Sequence, residues 1–255
     1  MNQISWNMAV VGGYHLNVCS NTRLTPNMRR IVLQGSELAG FPPNQEGGYV
    51  KLVFDPPGDG DKPTLRSYTI RAFDGLRQTM TLDFVDHGDE GPASAWASRA
   101  EPGDAITIRG PGDPKVAPRE SDWFLFAGDM SALPALAVNL EQLPADARGY
   151  AVIEVLCDQD KQPLEHPEGI ELTWLVNPDT ASPNTPIAER VRALPWLPGT
   201  PFPWFAGEFS TMRNLRRFFR DEKGIDRRAM YCSSYWKMGD TDEAMKQAKK
   251  QDPEA

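Results

Sequence analysis

The sequence predicts a β plus α/β protein of two domains, an antiparallel six-stranded barrel followed by a parallel-sheet α/β domain. Three observations support this fold class. The 255 residues are enough for two compact domains, each with its own core. Up to about residue 110, short runs with two-residue alternation are separated by Gly, Pro, Asn and Asp. After Pro114, continuous apolar strands alternate with helical stretches, which is typical of a parallel sheet buried on both faces.

The predicted barrel domain spans residues 10–115. Its strands are short runs rich in β-branched, aromatic and aliphatic residues, at 30–33, 49–54, 68–70, 79–85 and 105–108. In one of these runs Met80, Leu82 and Phe84 share a face, which we expect to be buried. A brief helix should begin at Pro92, because proline is favoured at the first helical position. Short antiparallel strands at this spacing favour a closed barrel, which leaves no exposed edge.

The predicted α/β domain spans residues 120–240, and a polar tail with a short helix follows at 241–255. Five strands are expected, at 123–127, 150–156, 172–176, 202–206 and 229–233. Three helices are expected, at 132–143, 187–194 and 210–222. We predict Ser210 as the N-cap of the last of these helices, because serine is a favoured capping residue.

Composition and charge argue against several classes of protein. The net charge of -8 disfavours a nucleic-acid surface. No apolar run approaches the roughly 20 residues that a membrane helix needs, and the N-terminus lacks the pattern of a secretory signal. Neither the three cysteines nor the three histidines have the spacing of a disulfide framework or a metal site. We therefore expect a cytoplasmic protein without a membrane segment or a bound metal. The sequence does not determine the oligomeric state, and a monomer is the default.

Two short segments about twenty residues apart carry the clearest chemical signal. The first, Arg66-Ser67-Tyr68-Thr69, offers a guanidinium, a flat aromatic ring and hydroxyl groups. The second, Gly91-Pro92-Ala93-Ser94, opens a helix whose first N–H groups can receive an anion. Together they predict a flavin held by its ring and its pyrophosphate. Taken alone, the segments also fit a barrel strand with a surface arginine and an ordinary helix start.

Two further pairs of residues follow predicted strands of the second domain. Gly128 and Asp129 end the first parallel strand ahead of a helix, where open α/β sheets bind ligands. No GxGxxG pattern is present there, so the dinucleotide fingerprint is absent. Gly207 permits a close backbone approach. Glu208 fits either a ligand contact or a first-turn residue stabilised by the helix dipole.

Five motifs occur in one order along nearly the whole chain, from about Asn17 to Gly239. They are the segments at 66–69, 83–88, 91–97, 127–135 and 235–239. In this order they closely resemble the siderophore-interacting protein family, whose members are flavin-dependent ferric-siderophore reductases of the ferredoxin-NADP reductase-like superfamily. The resemblance implies an N-terminal FAD-binding barrel and a C-terminal domain that binds NADH or NADPH.

The resemblance also implies which residues bind the cofactors. The FAD ring and phosphates would lie against Arg66, Ser67, Tyr68 and Thr69. The phosphates and the adenosine half would lie near Asp83, Phe84, Val85, His87, Gly91, Pro92, Ala93 and Ser94. The reduced nicotinamide would lie at Gly128, Asp129, Gly207 and Glu208.

Two lysines are implied as contacts of an anionic ferric siderophore. Lys51 interrupts an apolar run, and Lys237 lies between Trp236 and Met238. Each lysine taken alone would simply face solvent, yet on an acidic protein they would steer an anionic chelate. Arginine is common in the family at the second position, and lysine keeps the charge without the planar fork.

The implied reaction passes electrons from NADH or NADPH through FAD to iron(III), which releases iron(II) from its chelate. Ferredoxin is an alternative donor, since members of the family differ in this respect. Arg213, Arg216 and Arg217 would either meet the 2′-phosphate of NADPH or form a solvated helix face. Two other functions stay open, a general flavin or ferredoxin-linked reductase and a module that binds the ferric siderophore without reducing it.

Overall fold

The structure is a computed structural model that describes residues 13–54, 63–86, 91–179, 186–240 and 242–251. Its internal contacts divide the chain into two compact units, the first ending at Lys115 and the second beginning at Val116. The predicted fold class is confirmed, because the first unit holds an antiparallel sheet and the second a parallel sheet with helices. The domain limits given above stay predictions.

The first unit is an antiparallel sheet of seven strands within the described residues. The strands are β1 (Tyr14–Thr25), β2 (Met28–Gln34), β3 (Tyr49–Phe54), β4 (Thr64–Thr69), β5 (Ala72–Asp74), β6 (Thr79–Val85) and β7 (Ala105–Gly112). Their hydrogen-bonded order is β4-β3-β7-β1-β2-β6-β5, and helix α1 (Pro92–Arg99) follows β6. Six strands were predicted and five of them located, at β2, β3, β4, β6 and β7, so β1 and β5 were not located. The three residues of β5 are too few for a periodic signal.

The sheet curls so that β4 and β6, which are not neighbours in the hydrogen-bonded order, pack on each other. The rings of Tyr68 and Phe84 have centroids 4.1 Å apart, and Trp96 of α1 approaches Phe84 at 5.8 Å. Met80, Leu82 and Phe84 are all fully buried, as their alternation predicts. Burying a side chain of this size contributes about 1.5–3 kcal/mol, so this face of β6 anchors the first core.

The second unit is a parallel sheet with helices. Its strands are β8 (Trp123–Gly128), β9 (Arg148–Val155), β10 (Gly169–Val176), β11 (Pro201–Glu208) and β12 (Tyr231–Trp236), in the order β10-β9-β8-β11-β12. Its described α-helices are α2 (Leu133–Glu141), α3 (Pro186–Arg192), α4 (Phe209–Arg217) and α5 (Asp242–Gln251). The chain order reverses between β8 and β11, so their carboxyl ends flank the place where open α/β sheets bind ligands.

Helix α4 begins one residue earlier than predicted, and its cap is different. Glu208 is the N-cap, and its Oε2 accepts hydrogen bonds from the backbone N–H groups of Ser210 at 2.5 Å and Thr211 at 3.0 Å. The prediction of Ser210 as the cap is therefore wrong. After Arg217 the chain continues in a π-helical turn, Phe218–Glu222, which reaches the predicted end.

Candidate functional site

The first predicted motif, Arg66 to Thr69, forms the end of strand β4. Ser67 pairs with Lys51 of β3, and Tyr68 pairs with Val50. Because side chains alternate along a strand, Arg66 and Tyr68 share one face and Ser67 shares the other with Lys51. Burial raises the pKa of the Tyr68 hydroxyl well above its usual value. This hydroxyl therefore stays neutral and remains a hydrogen-bond donor near neutral pH.

The second predicted motif forms the start of α1. Gly91 is the N-cap residue with φ of +93°, a value that favours glycine, and Pro92 occupies the first helical position. No side chain at Gly91 caps the first turn, while Ala93 and Ser94 are small and buried. The helix therefore presents first-turn N–H groups at the positive end of its dipole, which suits an anion such as pyrophosphate. His87 lies outside the described residues.

Asp83, on strand β6, has both carboxylate oxygens engaged by Arg30 of β2. The Nε and Nη2 atoms of Arg30 each donate a hydrogen bond of 2.7 Å to this carboxylate, which is 7% exposed. Such bidentate pairs are among the stronger charge-assisted hydrogen bonds. The Phe84 side chain is fully buried in the core of the first unit. A contact of Asp83 or Phe84 with FAD would therefore run through the backbone of β6.

Asp129 is the centre of the second candidate region, at the carboxyl ends of β8 and β11. Its Oδ1 accepts hydrogen bonds from the N and Oγ atoms of Ser131, at 2.9 and 2.5 Å. Its Oδ2 accepts from the backbone N of Glu208 at 2.9 Å and from Nε1 of Trp236 at 2.8 Å. Burial raises the pKa of Asp129, although these four donors favour its charged form. The structure thus brings Asp129 and Glu208 together, as the sequence predicts.

Two glycines allow these strand ends to approach each other. A Cβ atom at Gly207 would lie 2.4 Å from Oδ2 of Asp129, and the φ of +145° at this position also favours glycine. A Cβ atom at Gly128 would lie 2.7 Å from the carbonyl oxygen of Ala206. Larger residues would push β8, β11 and the Asp129 carboxylate apart.

The Glu208 carboxylate joins the start of α4 to the end of β12. While its Oε2 caps α4, its Oε1 accepts a hydrogen bond of 3.4 Å from the backbone N of Met238. Of the two roles open from the sequence, helix stabilisation is the one that the geometry displays. Trp236 and Ser131 lie within two of the five motifs but were not predicted as site residues, because nothing local in a sequence marks the partner of a distant aspartate.

The two predicted chelate contacts lie in different units. Lys51 is exposed on β3, where Ser67 and Arg109 are its cross-strand neighbours. Lys237 is partly exposed, forms an ion pair with Asp240, and lies 5.7 Å from the centre of the Phe209 ring. Arg109 was missed from the sequence, because the register of β3 against β7 decides which cation adjoins Lys51.

Glu154 adds a titratable group to the carboxyl end of β9. Burial, with a smaller contribution from the charge of Asp129, raises the pKa of Glu154 to about 7, and a hydrogen bond from Asn177 opposes the rise. This carboxyl therefore changes its charge near neutral pH. Within the described residues, no group of three or more His, Cys, Asp or Glu is placed to hold a metal ion. None of the helices in that part of the chain is long and apolar enough to cross a membrane.

Two family models match the chain. The model described as siderophore-interacting protein matches residues 121–239. The model described as siderophore-interacting FAD-binding domain matches residues 17–62 and 56–115. The matched segments include the Arg66 and Gly91 motifs in the first unit, and Asp129, Glu208 and Trp236 in the second. The resemblance stated from the motifs is therefore confirmed.

Individual relatives point the same way. Ferric vibriobactin reductase ViuB of Vibrio cholerae serotype O1 is 34% identical over 238 residues, which are 87% of this chain and 88% of the relative. NADPH-dependent ferric-chelate reductase of Escherichia coli K12 is 30% identical, over 87% of this chain and 91% of the relative. Among solved structures, the siderophore-interacting protein SipS from Aeromonas hydrophila has a TM-score of 0.83 at 34% identity, covering 93% of this chain and 96% of its own.

Proposed function

The chain belongs to the siderophore-interacting protein family, and on that premise we propose that it is an FAD-dependent ferric-siderophore reductase. The observation that carries this proposal is the FAD-binding domain match over the first unit, where the motif residues form one strand end and one helix start. The proposed substrate is a ferric siderophore, and the proposed product is iron(II). We place the reaction in the cytoplasm and take the protein to be a monomer.

FAD fits the donors that the first unit offers. The Arg66 guanidinium is proposed to pair with the pyrophosphate, and the first turn of α1, which begins at Gly91 and Pro92, is proposed to receive its other oxygens. Tyr68 is proposed to pack against the flavin ring. Ser67 and Thr69, whose side chains lie on the other face of β4, would donate hydrogen bonds to the ring through their backbone N–H groups. The backbone from Asp83 to Val85, together with His87, would border the adenosine half. When bound, FAD accepts two electrons from a nicotinamide donor and passes them on singly.

The nicotinamide donor is proposed to bind at the carboxyl ends of β8 and β11. Gly128, Asp129, Gly207 and Glu208 meet there, at the reversal of strand order that open α/β sheets use for ligands. One relative is named an NADPH-dependent ferric-chelate reductase, which supports a nicotinamide donor over ferredoxin. NADH and NADPH are the two forms to compare.

Lys51 and Lys237 are proposed to attract the anionic chelate. The whole chain carries a net charge of -8, so an anionic substrate needs local cations. Lys51 is exposed, whereas Lys237 would have to share its ammonium with Asp240. Reduction of iron(III) weakens its hold on hard oxygen ligands, so the metal is released without a protein nucleophile.

Anaerobic stopped-flow absorbance tests the proposal. The FAD-loaded protein should be yellow, and NADH or NADPH should bleach it. A ferric siderophore should then restore the oxidised spectrum, while a chromogenic trap reports iron(II). The gallium(III) form of the same siderophore is the matched control, because it has a similar shape and charge but accepts no electron.

Two outcomes would contradict the reductase. One is that none of the catecholate, hydroxamate and carboxylate ferric siderophores reoxidises the reduced flavin. The other is that free flavin or ferredoxin turns over rapidly while ferric siderophores show no saturable reduction, which would favour a general reductase.

A further inference from the structure

Trp236 is a half-buried aromatic residue at the carboxyl end of β12, tied by its indole N–H to Asp129. We propose that Asp129 is a positioning residue that fixes Trp236 as one wall of the nicotinamide pocket, and that Asp129 itself does not bind the donor. The inference rests on the proposed function for the location of the nicotinamide, and it assigns Trp236 to that site.

The hydrogen bonds of Asp129 leave its carboxylate little capacity for a ligand. A carboxylate offers about four lone-pair sites. Ser131 uses two of them, and the Glu208 backbone and the Trp236 indole use the others. The residue is 9% exposed. A ribose hydroxyl or a carboxamide would therefore have to displace an existing donor, whereas the present bonds fix three strand ends relative to one another.

An irregularity in β12 turns Trp236 towards Asp129. Gly207 of β11 pairs with Ser234, but the next residue, Glu208, pairs with Trp236, so Tyr235 is an extra residue in the ladder. A bulge of this kind shifts the following side chain to the opposite face, and bulges often re-aim side chains beside active sites. Without the extra residue, Tyr235 would occupy the position opposite Glu208. The bulge and the indole hydrogen bond thus specify the same orientation of Trp236.

The close approach of β11 supports the same role for Asp129. A Cβ atom at Gly207 would lie only 2.4 Å from Oδ2 of Asp129, so glycine is needed for this close approach. The contact brings the Glu208 backbone N within 2.9 Å of this oxygen, next to the indole bond on the same atom. Asp129 therefore sets the position of Trp236 relative to the carboxyl ends of β8 and β11.

A double-mutant cycle tests this inference with Asp129→Asn and Trp236→Phe. Asparagine turns an amide N–H₂ towards groups that are themselves donors, and phenylalanine keeps an aromatic wall without the indole N–H. We expect each single change to raise the Kd of NAD⁺ and NADP⁺, measured by calorimetry on the FAD-loaded protein, by about tenfold. The Kd of the double variant should lie within about threefold of the Kd of Asp129→Asn alone, because both changes break the same hydrogen bond between Asp129 and Trp236.

The content of FAD in the purified protein should stay unchanged in all three variants. The rate at which dithionite-reduced protein reduces a ferric siderophore is measured beside it, because dithionite bypasses the nucleotide and this rate reports iron reduction separately. Asp226→Asn is the matched control, since Asp226 caps a surface turn through the Arg228 backbone N–H at 2.8 Å. If Asp129→Asn does not fold, Ser131→Ala replaces it in the cycle, because it weakens the support of the same carboxylate.

Three results would overturn the inference. The first is a double variant whose Kd for the nucleotides rises about a hundredfold, which is the product of two independent tenfold effects. That result is expected if Asp129 contacts the donor directly. The second is unchanged nucleotide affinity in Trp236→Phe. The third is a wild-type protein that binds neither nucleotide. In each case the reaction of dithionite-reduced protein with a ferric siderophore still reports whether iron is reduced. Failure of this inference is therefore distinguishable from failure of the proposed function.

Discussion

At the scale of single residues, Arg66 is the side chain whose proposed role is easiest to isolate. It shares a face of β4 with Tyr68, whereas Ser67 faces the other way with Lys51. An arginine beside a pyrophosphate forms paired, charge-assisted hydrogen bonds, which a lysine reproduces only in charge. Its loss should therefore affect the retention of FAD more than the fold of the barrel.

We predict that Arg66→Ala weakens FAD binding by about ten- to a hundredfold, and that Arg66→Lys weakens it less. The Kd follows from the flavin fluorescence that appears on dilution. Arg77→Ala is the control, because Arg77 is an exposed arginine of the same unit in the turn between β5 and β6. Equal FAD retention in Arg66→Ala and in Arg77→Ala would remove Arg66 from the site.

The sequence predicts residue identities at the site better than residue roles. Asp129 and Glu208 were expected at the nicotinamide site, and the structure brings them together. The bond from Trp236 to Asp129 was not foreseen, since it joins positions 107 residues apart and depends on a bulge in β12. Propensity and spacing describe neighbours along the chain, whereas this contact is decided by strand register.

At the scale of secondary-structure elements, the clearest patterns were predicted and the irregular ones were not. The alternation of β6 and the continuous apolar run of β8 lie where the sequence places them. The long strand β1 was not identified, because its alternation breaks where the pairing register shifts between Val18 and Ser20. The start of α4 was assigned to Ser210 because a carboxylate cap was not weighed against serine.

We predict that Arg30→Ala lowers the free energy of unfolding by about 2–4 kcal/mol, since it leaves the buried carboxylate of Asp83 without its bidentate partner. The pair joins β2 to β6, so the loss should loosen both strands. Urea unfolding followed by circular dichroism measures the change. Arg77→Ala, which breaks the exposed pair with Asp74, should have little effect. Similar losses in the two variants would contradict a special role of the buried pair.

At the scale of the whole molecule, the chain carries a net charge of -8, and two predictions concern single charged groups on it, Glu154 and Lys51. Glu154 has a pKa raised from its usual 4.5 to about 7, so the folded protein holds this proton more tightly than the unfolded chain. Its contribution to stability is complete below pH 4.5 and is lost as the pH rises through about 7. Asn177 and Asp129 are the neighbours that act on it.

We therefore expect Glu154→Gln to flatten the pH dependence of stability. Glutamine stays neutral at every pH, so the variant should gain melting temperature relative to the wild type between pH 5.5 and pH 8. Comparing the two proteins at each pH cancels the other titrating groups. The same difference in melting temperature at both pH values would show that Glu154 does not titrate in this range.

The second prediction concerns the attraction of the chelate by Lys51. On a chain of net charge -8, loss of one exposed lysine beside the substrate should weaken encounter with an anionic chelate and leave electron transfer unchanged. We predict that Lys51→Ala raises KM for an anionic ferric siderophore about three- to tenfold without changing kcat, and that Lys51→Arg does not. The effect should shrink in 0.5 M salt, where charges are screened within about 4–5 Å.

Steady-state kinetics with a net-neutral ferric hydroxamate serve as the control for Lys51→Ala. An equal rise in KM for the neutral chelate would mean that Lys51 acts through shape or packing and not through its charge.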